Sequence, residues 1–237
     1  MVNATQLDEI RNYLLLQKLP IDILMEVQDH IITQIEDIQK TQDLDFDTAF
    51  AKAKDSWRKD LRPYWNGSWD LEDRNDLVRN FEKSIWVDFS KQSLKWGLLS
   101  VLLLGLLANL LSYALFSYVV LAFSVVLVLS SILRVIIRWK TFRLPNQYYP
   151  KYILTLYQSY AMMPLSLGYF LFKLIASYQK ICLSYYSVFA NHHLEWKFII
   201  MIVLSFVGFS ICFFSIICQN VYLKRLEKVK PFLEKLQ

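Results

Sequence analysis

Residues 96–137 read WGLLSVLLLGLLANLLSYALFSYVVLAFSVVLVLSSILRVII, and the one charge among them is Arg134, close to the end. A helix needs about 20 apolar residues to cross a hydrocarbon core. The stretch is long enough for two crossings and too apolar for a solvated surface. It predicts a first membrane span from Trp96 to about Tyr113 and a second from about Tyr118 to Ile137, joined by a tight turn over 112–117. Lys91 and Lys95 precede the pair, and Arg134, Arg138, Lys140 and Arg143 close it. Basic residues at both ends of a hairpin favour a cytoplasmic location for both ends.

Two more apolar runs follow. A third span is expected over about 152–172 and a fourth over about 198–221, with Lys151 before the third and Lys224, Arg225, Lys228 and Lys230 after the fourth. The segment 173–197 between them reads as an outer loop. Pro164, followed by Gly168, predicts a kink in the third span. Trp96 and Trp139 are the expected anchors at the inner interface and Trp196 at the outer one, because indole rings favour the headgroup level. The expected spans hold no Asp or Glu. Ion-coupled transporters need ionisable groups at that depth, so an autonomous transporter of this kind is disfavoured.

The net charge of +5 hides an asymmetry. Residues 1–95 carry 13 basic and 18 acidic side chains, and residues 96–237 carry 13 and 3. The basic excess therefore flanks the spans, while the N-terminal region is acidic and would repel nucleic-acid phosphates. No nucleic-acid partner is expected. The first ten residues, MVNATQLDEI, lack the basic and apolar regions of a secretory leader, and none is expected. Cys182, Cys212 and Cys218 form no CxxC pair, which points away from a zinc site or a disulfide framework. The sequons Asn3-Ala4-Thr5 and Asn66-Gly67-Ser68 lie on the side expected to be cytoplasmic and are taken as chance.

The N-terminal region reads as short amphipathic helices. Thr5 and Asp8 have capping-box spacing for a first helix over about 5–17. Pro20 opens a second, in which Leu24, Val27, Ile31, Ile35 and Ile38 form an apolar stripe. Asp22, Glu26, Asp29 and Asp37 mark its opposite, solvated face. Asp45 caps a third helix whose inner face holds Phe46, Ala49, Phe50, Ala53, Trp57 and Leu61. Pro63 and Asn66-Gly67-Ser68 break the chain, and a fourth helix is expected from near Asp70. It either runs on into the first span or lies on the membrane surface, anchored by Lys83, Trp86 and Lys91.

These readings give an all-α chain: an N-terminal cytoplasmic helical bundle followed by a four-helix transmembrane domain. The expected domains are 1–65, a helical interaction or sensor module; 66–95, a linker and juxtamembrane amphipathic helix; 96–223, the four spans; and 224–237, a basic cytoplasmic tail. Glu26, Asp29 and His30 are the candidate partner contacts. Their three-to-four-residue spacing also suits metal ligation, but no second cluster completes a site. His192 and His193, near Glu195, pose the same question in the outer loop. No phosphate-binding glycine loop, GxSxG or HExxH pattern is present, and no catalytic residue, cofactor or metal is expected.

IRNYLLLQKLPIDILMEVQDHIITQIEDIQ (10–39) and LDFDTAFAKAKDSWRKDL (44–61) resemble the small helical modules of PadR-associated bacterial membrane proteins, the HAAS type. The resemblance covers about residues 7–62 and rests on Leu19-Pro20, Glu26, Asp29-His30-Ile31 and Asp45 to Phe50. The sequence departs from the pattern at Gln42-Asp43-Leu44, where a glycine is usual, and at Asp45, where serine is common. The resemblance implies a bacterial inner-membrane protein with a cytoplasmic sensing or interaction module, and no catalytic residues. The expected function is therefore a non-catalytic regulatory or interaction protein, binding the lipid bilayer and a protein partner, or pairing with itself. The alternatives are an accessory subunit of a transport complex, or a lipid-acting membrane enzyme using His192 and His193.

Overall fold

The structure is a computed structural model that describes residues 2–65, 67, 73–149, 151–163 and 168–234. These are helical but for turns, short connections and one isolated bridge, in which Tyr64 and Arg74 exchange two backbone hydrogen bonds of 3.2 Å. The helices are α1 (Ala4–Leu16), α2 (Ile21–Gln42), α3 (Phe46–Leu61), α4 (Asp76–Leu110), α5 (Tyr113–Ile137) and α6 (Trp139–Tyr148), then α7 (Gln158–Ala161), α8 (Gly168–Ala176) and α9 (Tyr178–Tyr185), which continues as a π-helical turn (Tyr186–Ala190), and α10 (Trp196–Glu234). Asn66, Ser68, Asp70 and Pro164, where breaks, a helix start and a kink are expected, lie outside the described residues.

The chain divides into two compact units. The first comprises residues 1–86, 145–156 and 224–237; the second comprises 87–144 and 157–223.

In the first unit, α1 and α3 both pack on α2. The cap of α1 is Asn3 rather than Thr5: Asn3 Oδ1 accepts from Gln6 N, and Gln6 Oε1 accepts from Asn3 N, each at 2.9 Å. Asparagine is a stronger N-cap than threonine, so the box forms two residues earlier than its Thr5 counterpart. Leu24, Val27, Ile31 and Ile35 of α2 are buried, as are Ala49, Phe50, Ala53 and Leu61 of α3. Each large apolar side chain contributes about 1.5–3 kcal/mol on burial. Trp57 is half-buried, and its indole donates to Gln34 Oε1 at 2.8 Å. Asp45 caps α3 by accepting from Thr48 N at 3.2 Å. Asp43 ends α2 in the left-handed region, with φ 51°. That is the conformation a glycine would adopt freely.

The second unit carries apolar side chains on its outside as well as in its core. Leu98, Leu102, Leu103 and Leu106 lie outward on α4, each more than half exposed, while Ser124, Ser131, Ser215 and Gln219 are fully buried. α5 packs on α8 and α9, around a core that includes Leu104, Phe116, Val120, Cys182, Tyr185 and Phe209. Phe123 and Phe209 meet edge to face at 5.1 Å. A methyl on Gly208 would fall 2.8 Å from Leu174 Cδ1, so the helix backbone lies directly against that side chain.

Among the described residues, three helices are long and apolar enough to cross a membrane: α4, α5 and α10. α4 is continuous from Asp76 to Leu110, so no break separates its polar first half from its apolar second half. Ser112 is the N-cap of α5, so the connection between the first two apolar helices is two residues, shorter than expected. The stretch 152–172 is not one helix: residues 152–157 are non-helical, and α7 follows with only four residues. Part of the reason is visible in the first unit, where the Ile153 and Leu154 carbonyls accept from α2 instead of from their own segment. The segment expected as an outer loop, 173–197, is largely helical, and Ile181, Cys182 and Tyr185 are buried in the core.

Candidate functional site

α2 begins after Pro20, which offers no side-chain cap. The first N–H groups of a helix lack partners within it and must find them elsewhere. Here Ile21 N donates to the Ile153 carbonyl at 2.8 Å and Asp22 N to the Leu154 carbonyl at 3.2 Å. A segment more than 130 residues away in sequence thus caps α2 with its backbone.

That capping closes over Asp22. The sequence places it on the solvated face; in the structure it is only 4% exposed. Its Oδ1 accepts from Ile23 N at 3.1 Å, and its Oδ2 has no hydrogen-bond partner among the described residues. One turn further on, Glu26 forms an ion pair with Arg225 of α10. Burial pushes the Asp22 carboxyl up from its ordinary 3.8 to about 7, against the opposing effects of the Arg225 guanidinium and the Ile23 and Leu156 amides. The Glu26 carboxylate adds to the rise. Desolvation is the largest of these effects, so the charged form is disfavoured.

The three candidate contacts are placed as follows. Glu26 is partly buried and engaged by Arg225, while Asp29 and His30 are exposed on the next turn of α2. Asp29 also borders an open groove of about 470 Å³ between α1, α2 and the end of α10, where Leu7, Met25 and Phe232 supply an apolar floor. Asp22 and Arg225 are the residues that reading α2 in isolation misses. The available signal was complementarity: Asp22, Glu26 and Asp29 share a helix face at i, i+4 and i+7, and Lys224, Arg225 and Lys228 open the C-terminal segment.

Of the histidine pair, His193 is engaged by its neighbours. His193 Nε2 lies 2.5 Å from Glu195 Oε1, and Lys197 Nζ lies 2.5 Å from Glu195 Oε2. Lys197 and then His193 hold the Glu195 carboxyl below the usual range. The His193 amide donates to the Ser187 carbonyl at 2.8 Å, so this cluster ties the connection before α10 to the π-helical turn. Among the described residues, no group of three or more His, Cys, Asp or Glu side chains is placed to hold a metal ion. Trp96, Trp139 and Trp196 are 50%, 42% and 76% exposed, which leaves their rings available to an interface.

The fold defines an all-helical protein with three helices of membrane-crossing length and a polar helical unit that gathers three separate stretches of chain. Comparison with protein-family models, with curated proteins and with solved structures yields no match.

Proposed function

We propose that this chain is a non-catalytic regulatory or interaction protein anchored in the bacterial inner membrane, with its N-terminal helices forming a cytoplasmic module that binds a protein partner. The observation that carries this reading is the make-up of the first unit. The N-terminal helices, residues 145–156 and the end of α10 belong to one compact body. In a membrane, all three stretches must then lie on one side. α4 and α5 lead out and back between the first and second of them. α10 starts beyond the membrane and returns to the third, so the chain must cross once between Leu156 and Trp196. The broken helices α7 to α9 and the π-helical turn would make that crossing. This gives four crossings with both termini inside, in keeping with the basic flanks. Irregular backbone is tolerated at membrane depth where protein surrounds it.

The module's exposed α2 surface, centred on Asp29 and His30, is the partner contact. The resemblance of residues 7–62 to HAAS-type modules accords with this role. α4 and α10 each run unbroken from apolar sequence into the first unit, so a partner bound there acts on elements that enter the bilayer. The test is affinity purification of the full chain from native membranes in mild detergent, beside an Asp29→Ala, His30→Ala double variant. The reading expects a co-purifying protein that the double variant loses while the chain stays folded. Equal recovery by both chains would remove the assignment. A partner that persists in the double variant and proves to be a permease would favour the transport-subunit alternative.

A further inference from the structure

The Asp22 carboxyl is buried with one oxygen unpartnered, under a segment held to α2 by two backbone hydrogen bonds. The cation that acts on it, Arg225, is already paired with Glu26. A neutral carboxyl tolerates this site; a carboxylate needs water or a second cation. We infer that Asp22 is a proton-sensitive latch that holds residues 153–156 and the end of α10 against α2 while protonated, and loosens as it ionises.

Among the described residues, two charged groups act on Asp22. On its own helix there is Glu26, and from α10 there is Arg225; residues 153–156 reach it through the Leu156 amide. The direction follows from linkage. The closed site binds the proton more tightly than the opened one, where the carboxyl returns to its ordinary 3.8. The opening constant therefore climbs as pH rises from about 4 towards 7 and levels off above that. Loosening frees the α2 N-terminus and the Glu26–Arg225 pair, next to the surface assigned to the partner. The inference deepens the regulatory reading by naming its control, and it rests on that reading for its biological use alone.

Hydrogen exchange of the full chain in lipid nanodiscs, corrected for the intrinsic rate at each pH, reads the latch without reference to any partner. Peptides covering residues 20–27 and 151–157 are compared at pH 5 and pH 7.5. The expected result is opening that is more frequent by about tenfold or more at pH 7.5, since the closed site holds its proton far more tightly than the opened one across most of that interval. Asp22→Asn should exchange alike at both pH values. Glu26→Gln, which removes the carboxylate that raises Asp22, should level off at a lower pH than the natural chain. Equal protection of the natural chain at both pH values would overturn the latch, as would an Asp22→Asn chain that keeps the pH dependence. A partner lost in the Asp29/His30 double variant, with no pH effect on exchange, would leave the regulatory reading standing and remove the latch.

Discussion

α2 and α10 both bury a stripe at helical spacing, and the stripes differ: that of α2 is aliphatic, while that of α10 mixes small, polar and aromatic side chains. On α2 it is Leu24, Val27, Ile31 and Ile35. On α10 it runs Ser205, Gly208, Cys212, Ser215, Gln219 and Tyr222, at alternating spacings of three and four. The same stripe then continues as Leu226, Val229 and Leu233. The change from this mixed stripe, flanked by buried Phe209 and Phe214, to an aliphatic one falls where the chain passes from the second unit to the first, at Lys224. Water drives the aliphatic stripe inward, since burial there releases apolar surface. Where lipid surrounds the helix, tails are as apolar as leucine, and association depends on close approach and interhelical hydrogen bonds. Gln219 illustrates the second case: its Nε2 donates to the Ser131 carbonyl at 2.8 Å.

This contrast can be broken at specific residues. The largest effect is expected at Phe50, which is 2% exposed and lies against Tyr13 and Phe46. Phe50→Ala should cost the first unit about 3–5 kcal/mol. Leu102→Ala, at an outward position of the second unit, should cost almost nothing in a bilayer. Thermal unfolding followed by limited proteolysis compares the two, and equal losses would erase the contrast.

Asp22→Asn is next. The folded-state carboxyl is raised above its ordinary value, so the natural chain loses stability between about pH 4 and 7 and is level above. Relative to the natural chain, the variant should gain little at pH 4 and on the order of 4 kcal/mol at pH 7.5. Unfolding midpoints at the two pH values check this, and a gain at pH 4 equal to that at 7.5 would count against it. Gly208→Leu must push Leu174 aside and should cost about 1–3 kcal/mol, read as a lower melting temperature in detergent. The smallest effect is expected at Asp43→Gly, where relief of the positive φ should raise stability by about 0.5–1 kcal/mol. A loss there would show that the Asp43 side chain does more than occupy the turn.

Much of the fold was legible because its signals are local. Pro20 and Asp45 mark helix starts through their own chemistry, and the apolar run from Trp96 announces helices of membrane-crossing length through composition alone. The first cap is hard to place because Asn3 and Thr5 compete within one turn. What stayed hidden depends on partners distant in the chain. Nothing near 152–157 announces that its carbonyls serve α2, and without that knowledge Asp22 reads as one more acid on a solvated face. The stretch 224–234 reads as a basic tail until its stripe of Leu226, Val229 and Leu233 is followed on from the stripe preceding it.

The most direct test of the account is which side of the membrane each connection occupies. Single cysteines at His192, Asn146 and Glu227, in a chain whose native cysteines are replaced, would be treated with an impermeant maleimide in intact cells. The account predicts labelling at 192 from outside, and at 146 and 227 only after the membrane is opened. Labelling of 227 from outside, or protection of 192 until the membrane is opened, would contradict four crossings with the first unit gathered on the inner side.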